Sequence, residues 1–222
     1  MFADTWEKAL IYSKNRTAPT VSHEHDIFTS TFGILFFATP HAGSSKAAWG
    51  SYLDKMSRLI NPQLSRSTLL PALEVESETL QNITDQFIPM MRNFRIYFFW
   101  EDQKTDLKFL GKDYIVSIES AAPKFDFVET SGIAADHSGI VKFDDPRSQA
   151  FRTVVDALIR YAEAAPPIIM QRTHDAKQLL DELRTRQALE TLAPDMVSIP
   201  MGSLRAVVND ERLHQNFQYS FH

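Results

Sequence analysis

Apolar residues at Phe2, Trp6, Ala9 and Leu10 recur at helical spacing, and the run closes on Ser13-Lys14-Asn15-Arg16, whose basic groups suit a helix C-terminus. A polar stretch from Thr17 to Ser30 then leads into Gly33-Ile34-Leu35-Phe36-Phe37-Ala38. This is a continuous apolar run of the kind buried on both faces of a parallel sheet. It stops at Thr39-Pro40-His41-Ala42-Gly43-Ser44-Ser45. Two helical patterns follow, Trp49 to Ile60 and Leu69 to about Met91, the second carrying Leu73, Leu80, Ile83, Phe87 and Ile88 on its apolar face. The next strands are expected at Arg95 to Trp100 and at Tyr114 to Ile118, each short and rich in β-branched or aromatic residues. Ala121 to His137 reads as a long loop. A helix over Ser148 to Ala165 places Phe151, Val154, Val155, Leu158 and Ile159 on one face.

Strands alternating with helices predict an α/β fold with a parallel sheet. Pro166-Pro167 is expected to close that domain, giving one unit over residues 1–165 and a helical, partly irregular tail over 166–222. In the tail, Ala176 to Leu192 repeats Leu179, Leu180, Leu183, Leu189 and Leu192 among charges. That amphipathic helix packs on its own domain or on a partner, and the former is the simpler expectation. The last thirty residues have no clear period.

Composition narrows the chemistry. The 222 residues include sixteen Phe and enough apolar content for one sizeable core. A formal charge of -5 with both signs mixed gives no basic stripe for a phosphate backbone, so nucleic acid is not an expected partner. There is no Cys, which removes thiol catalysis, disulfides and Cys-ligated metals. No apolar run approaches a membrane span and no secretory leader is evident, so a soluble, cytoplasmic protein is expected. His23-Glu24-His25-Asp26 offers metal-ligand types, but nothing at a recognisable spacing completes a set, and no phosphate-cradling or dinucleotide glycine motif occurs. No metal and no cofactor are expected.

Two segments carry a resemblance: Gly33 to Ser44, and Ala135-Asp136-His137-Ser138-Gly139-Ile140-Val141-Lys142-Phe143. Together they resemble the lipase-like α/β-hydrolase domain of serine-active-site-containing proteins. That domain is also found at the front of fungal NACHT and ankyrin-repeat signalling proteins, which suggests a fungal source. There is a more distant likeness to glycosylphosphatidylinositol inositol-deacylases. Leu10 to Asn15 looks like the helix after that family's nucleophile elbow, and Tyr97 to Glu101 like its penultimate strand. The resemblance covers about residues 7 to 165.

In that fold the triad runs Ser, then Asp or Glu, then His along the chain. The resemblance implies His137 as the catalytic histidine, in the loop after the last strand. It implies Glu101 as the acid, with Asp102 its near rival. The nucleophile departs from the pattern. A Gly-x-Ser-x-Gly elbow needs a serine bracketed by two glycines, and none of the seven glycines forms such a pair. The resemblance places the elbow immediately before the first helix, where the sequence begins, so the N-terminal strands and oxyanion donors are expected to be missing. What remains is the C-terminal half of the domain, with an open sheet edge for a protein partner or self-association to cover.

Each residue also has a plainer reading. His137 alone is a polar loop residue, Glu101 and Asp102 a solvated loop entry, and Asp136 a turn carboxylate. His41 lines a cleft or hydrogen-bonds its turn, the structural role being preferred. Ser44 and Ser45 are candidate nucleophiles without an elbow. Two functions follow from these residues. One is a serine esterase or lipase relative acting on carboxylic, including lipid, esters and inactive as this chain. The other is a non-catalytic interaction or regulatory module.

Overall fold

Seven consecutive residues, Arg-Ile-Tyr-Phe-Phe-Trp-Glu, form the central strand, because a segment this apolar is stable only when both of its faces are covered. A computed structural model describes residues 3–16, 22–41, 46–60, 66–107 and 111–192. Phe2, Ser44, Ser45 and the last thirty residues, on which some of the expectations above fall, lie outside the described residues.

The fold is α/β. In chain order come α1 (Ala3–Lys14), a 3-10 turn (Ser22–His25), α2 (Asp26–Ser30), β1 (Gly33–Phe37), α3 (Lys46–Ile60), α4 (Arg66–Phe87) and a second 3-10 turn (Ile88–Asn93). They are followed by β2 (Arg95–Glu101), β3 (Thr105–Asp106), β4 (Lys112–Asp113), α5 (Ile118–Ala121), β5 (Val128–Ile133) and α6 (Gln149–Leu192). The main sheet is β1-β2-β5, all parallel, in register Gly33 with Arg95 and Ile96 with Val128. β3 and β4 form a separate antiparallel pair.

Alternation along β2 divides the core in two. Tyr97 and Phe99 join Ala38, Ile115, Val116, Ile133, Val154 and Ala157 on one face, with Tyr52 and Met56 of α3 packed against them. Ile96 and Phe98 join Leu10, Phe36, Phe87, Met90 and Met91 on the other. Helices α3 and α6 therefore cover one side, and α1 and the end of α4 the other.

Several expectations change. Tyr114 to Ile118 is not a strand: α5 begins at Ile118, and buried Ile115 and Val116 turn their backbone toward Glu101. The third strand is β5, inside the stretch read as loop. Its Val-Glu-Thr-Ser-Gly-Ile sequence is polar because it is an edge, with Glu129 bonded to Arg160 and Tyr161 of α6. Gly132 is required there, since a Cβ would lie 2.8 Å from Trp100 Nε1. Within the polar stretch before β1, Ser22–His25 and Asp26–Ser30 are helical. Ser13 Oγ donates to the Glu24 carbonyl at 2.6 Å and accepts the Phe28 N–H at 2.9 Å.

Helix faces shift as well. Trp6 is 64% exposed, and α1 instead buries Glu7, Leu10 and Ser13. On α6 the buried residues are Val154, Ala157 and Tyr161, whereas Leu158 and Ile159 are half-exposed. Pro166-Pro167 does not end the helix, which runs unbroken to Leu192. The carbonyls deprived of a donor belong to exposed Ala162 and Glu163, where water can solvate them. Beyond the prolines the helix is tied down again. Arg172 donates to the Thr31 carbonyl at 2.7 Å and to the Asn93 carbonyl, joining α6 to the C-terminal ends of α2 and the second 3-10 turn. The stretch from Ala176 to Leu180 then lines a cleft whose other wall carries Arg16, His25 and Thr29, and Leu179 stays half-exposed.

Candidate functional site

In a parallel sheet every strand ends on the same side, so residues distant in sequence meet at the carboxyl edge. Glu101 is the last residue of β2 and is fully buried, pointing to the same face as Tyr97 and Phe99. His137 follows the adjacent strand β5 by four residues. Its Nδ1 lies 3.6 Å from Glu101 Oε2, just beyond hydrogen-bond length, and neither atom has another partner. Asp102 is exposed, and its backbone N–H closes the ladder on Ile133. Of the two acids, the fold brings Glu101 to the histidine.

Four further contacts surround this pair. Glu101 Oε1 accepts the Val116 N–H at 2.6 Å, and the neighbouring Ile115 N–H supports the same carboxylate. The His137 N–H donates to Thr105 Oγ1 at 3.0 Å, so the β3–β4 hairpin fixes the histidine backbone. The Tyr52 ring of α3 stands 6.3 Å from the imidazole, edge toward face. Asp136 turns away from the ring, accepting the Gly139 N–H at 2.8 Å as a turn carboxylate.

Burial dominates the electrostatics. It pushes the Glu101 carboxyl up to about 7, with nearby Asp136 adding to the rise and the two backbone N–H groups and Lys55 opposing it. It also lowers the His137 imidazole below its ordinary 6.5, partly offset by Asp136. Above pH 7 the pair is thus an ionised carboxylate beside a neutral ring, the protonation state a general base needs.

A second histidine–carboxylate pair lies on the opposite face of the same edge. His41 is buried between the Phe36 and Phe98 rings, at centroid distances of 4.2 and 4.7 Å, and its Nδ1 is 3.3 Å from Glu7 Oε1. The backbone N–H of His41 donates to the Ser120 carbonyl. This histidine fills the core and anchors its turn instead of lining an open cleft. Three residues before it in the chain is a strained link, Ala38 at φ 42°, a left-handed conformation that costs a non-glycine residue on the order of 1 kcal/mol or more.

Glu7, Tyr52 and Thr105 belong to no motif, and only the folded chain brings them to these two pairs. His25 is engaged by the Ser13 carbonyl at 2.9 Å and Glu24 by Arg16. Among the described residues no group of three His, Asp or Glu side chains is placed to hold a metal ion, and no helix is long and apolar enough to cross a membrane.

No family model matches this chain, and neither does any curated protein or solved structure.

Proposed function

We propose that the chain is an α/β-hydrolase-like protein related to serine esterases and lipases. In this reading His137 is the proton acceptor and Glu101 the acid that orients it, in a site for carboxylic esters, lipid esters among them. The observation that carries the reading is the 3.6 Å approach of His137 Nδ1 to a buried carboxylate at the carboxyl edge of a parallel sheet. With Nδ1 turned to Glu101, Nε2 is left to take a proton from a nucleophile. The sequence has no Gly-x-Ser-x-Gly elbow, so the proposed machinery is the acid–base half alone.

This reading makes a two-part prediction. Incubated with a fluorophosphonate probe, the chain is expected to show no labelled serine. With p-nitrophenyl acetate at pH 8, where Glu101 is ionised, His137 can still activate water in place of the missing serine, and the chain is expected to accelerate hydrolysis over His137→Ala by about a hundredfold, the lower end of general-base assistance. Equal rates for the two proteins would remove the acid–base role. A labelled serine would restore a full serine hydrolase.

A second reading, a non-catalytic interaction or regulatory module, is favoured by the edge of β1. The Arg95 N–H bonds the Phe32 carbonyl and the Ala38 N–H the Phe99 carbonyl, so the residues between them that face β2 are Ile34 and Phe36. The N–H groups of Gly33, Leu35 and Phe37 therefore point the other way. Among the described residues no strand lies on that side. In this reading a second copy or a partner strand covers the edge. Sedimentation velocity over a hundredfold concentration range is expected to show reversible self-association. A single monomeric species throughout, with no partner retained on the immobilised chain, would leave this reading without support.

A further inference from the structure

One helix touches both halves of the Glu101–His137 pair. Tyr52 and Lys55 sit three residues apart on α3 and therefore share a face of it. The Tyr52 ring meets the His137 imidazole. Lys55 reaches the other half indirectly: its ammonium donates to the Tyr114 carbonyl at 2.7 Å and pairs with Asp113 Oδ2 at 2.7 Å. Those two residues lead directly into Ile115 and Val116, whose N–H groups hold the Glu101 carboxylate.

We infer that Lys55 is a positioning residue for Glu101, clamping the 113–116 segment so that its N–H groups stay aimed at the carboxylate. The inference rests on the proposed reading of the pair as an acid–base site, and it names what controls that site.

The local chemistry supports the clamp. Tyr114 to Ser117 belongs to no helix or strand, so no ladder fixes the direction of the Val116 N–H. The β3–β4 pair that precedes it is only two residues long on each strand. Lys55 supplies what the ladder does not, a hydrogen bond across 59 residues from a rigid helix to the segment's carbonyl. Its hydrogen bond, aided by its charge, holds the Asp113 carboxyl below its usual range, and Lys104 stands over the Tyr114 ring at 5.6 Å as a further cation on the same segment. The charged and titratable groups bearing on Glu101 are then Lys55 from α3 and Asp136 and His137 from the turn after β5. Lys55 is the one that favours the ionised form; Asp136 opposes it.

The test uses the full chain and carbon-13 and nitrogen-15 NMR of the Glu101 carboxyl, the Val116 amide and the His137 ring. Lys55→Met keeps most of the apolar stem and removes the charge and donor. It is expected to raise the Glu101 midpoint by about half a pH unit or more and to speed exchange of the Val116 amide at least tenfold. Lys55→Arg, which retains charge and donors, is expected to restore both. An unchanged Glu101 midpoint and Val116 amide in Lys55→Met would overturn the clamp. Asp113→Asn guards against a general loosening, since it leaves the Lys55 bond to the Tyr114 carbonyl intact; Val116 exchange there should rise less than in Lys55→Met. An equal rise would also overturn the clamp. The acid–base reading is judged separately. If Glu101→Gln fails to move the His137 titration, the pair is not coupled, whatever Lys55 does.

Discussion

Replacing Phe99 by alanine is expected to destabilise the fold by about 3–5 kcal/mol. Phe99 is fully buried at the centre of the middle strand. Its ring stacks on Tyr97 at 4.3 Å and on Phe37 of the neighbouring strand at 4.8 Å, so its loss leaves a cavity in the core on that face of the sheet. A main sheet of three strands offers little reserve, and a domain of ordinary stability has about 5–15 kcal/mol to lose. Urea unfolding followed by circular dichroism should show a midpoint shifted far down, or no cooperative transition at all. A loss under about 1.5 kcal/mol would mean that the aromatic stack does not hold the sheet together.

Glu101→Gln is expected to act in the opposite direction, and only above a definite pH. In the unfolded chain the carboxyl ionises near 4.5, and in the fold near 7. The folded state holds the proton more tightly, so its stability is full below pH 4.5, declines as pH rises to 7 and stays low beyond. At about 1.4 kcal/mol per pH unit the gap from 4.5 to about 7 amounts to about 3 kcal/mol. Glutamine keeps the oxygen that accepts the Val116 N–H and carries no charge, so at pH 8 the variant should be more stable than the parent by up to that amount. Near pH 4 the two should be alike. His137 contributes the reverse slope, because its imidazole is lowered in the fold: stability is present above 6.5 and lost as pH falls below it. That slope falls below pH 6.5, so at pH 8, where the imidazole is neutral in both proteins, the difference between their curves reports Glu101. Unfolding curves at half-unit pH steps would measure it. A parent more stable than the variant at pH 8 would mean that a cation stabilises ionised Glu101 in the fold more than burial penalises it.

The two outcomes bear on the function in different ways. Phe99 tests whether the sheet that carries the pair is held by its aromatic core. Glu101 tests whether the fold keeps a carboxylate in a place where it is costly, an arrangement more common at sites of chemistry than in purely structural cores. The buried His41–Glu7 pair is a useful contrast, since it sits among aromatic rings and ties α1 to the turn after β1.

Much of the architecture was legible along the chain. Gly33–Phe37 and Arg95–Glu101 announce themselves as buried strands because a run without polar residues has nowhere else to go. The helical periods over α3, α4 and α6 were equally plain, whereas Glu101 and His137 stood out only through the family resemblance, with Asp102 as a rival acid. The hidden parts were those whose conformation is imposed by distant neighbours. Val128–Ile133 is a strand because β2 offers it a ladder and α6 binds its glutamate, whereas its composition alone reads as loop. Tyr114–Val116 has the composition of a strand but spends its N–H groups on a carboxylate. The diproline reads locally as a stop, and the helix continues past it to where Arg172 ties it to the ends of α2 and the second 3-10 turn.

The sequence by itself therefore determined the α/β class, the two apolar strands, the absence of cysteine chemistry and the lack of a nucleophile elbow, since each depends only on residue type and spacing. Tertiary structure alone decided which acid meets His137, that His41 is paired and buried, and that α3 braces the Glu101–His137 pair from one side. Those facts depend on contacts between residues tens of positions apart. Such contacts form only when parallel strands bring their carboxyl ends to a common edge, and no local pattern encodes them.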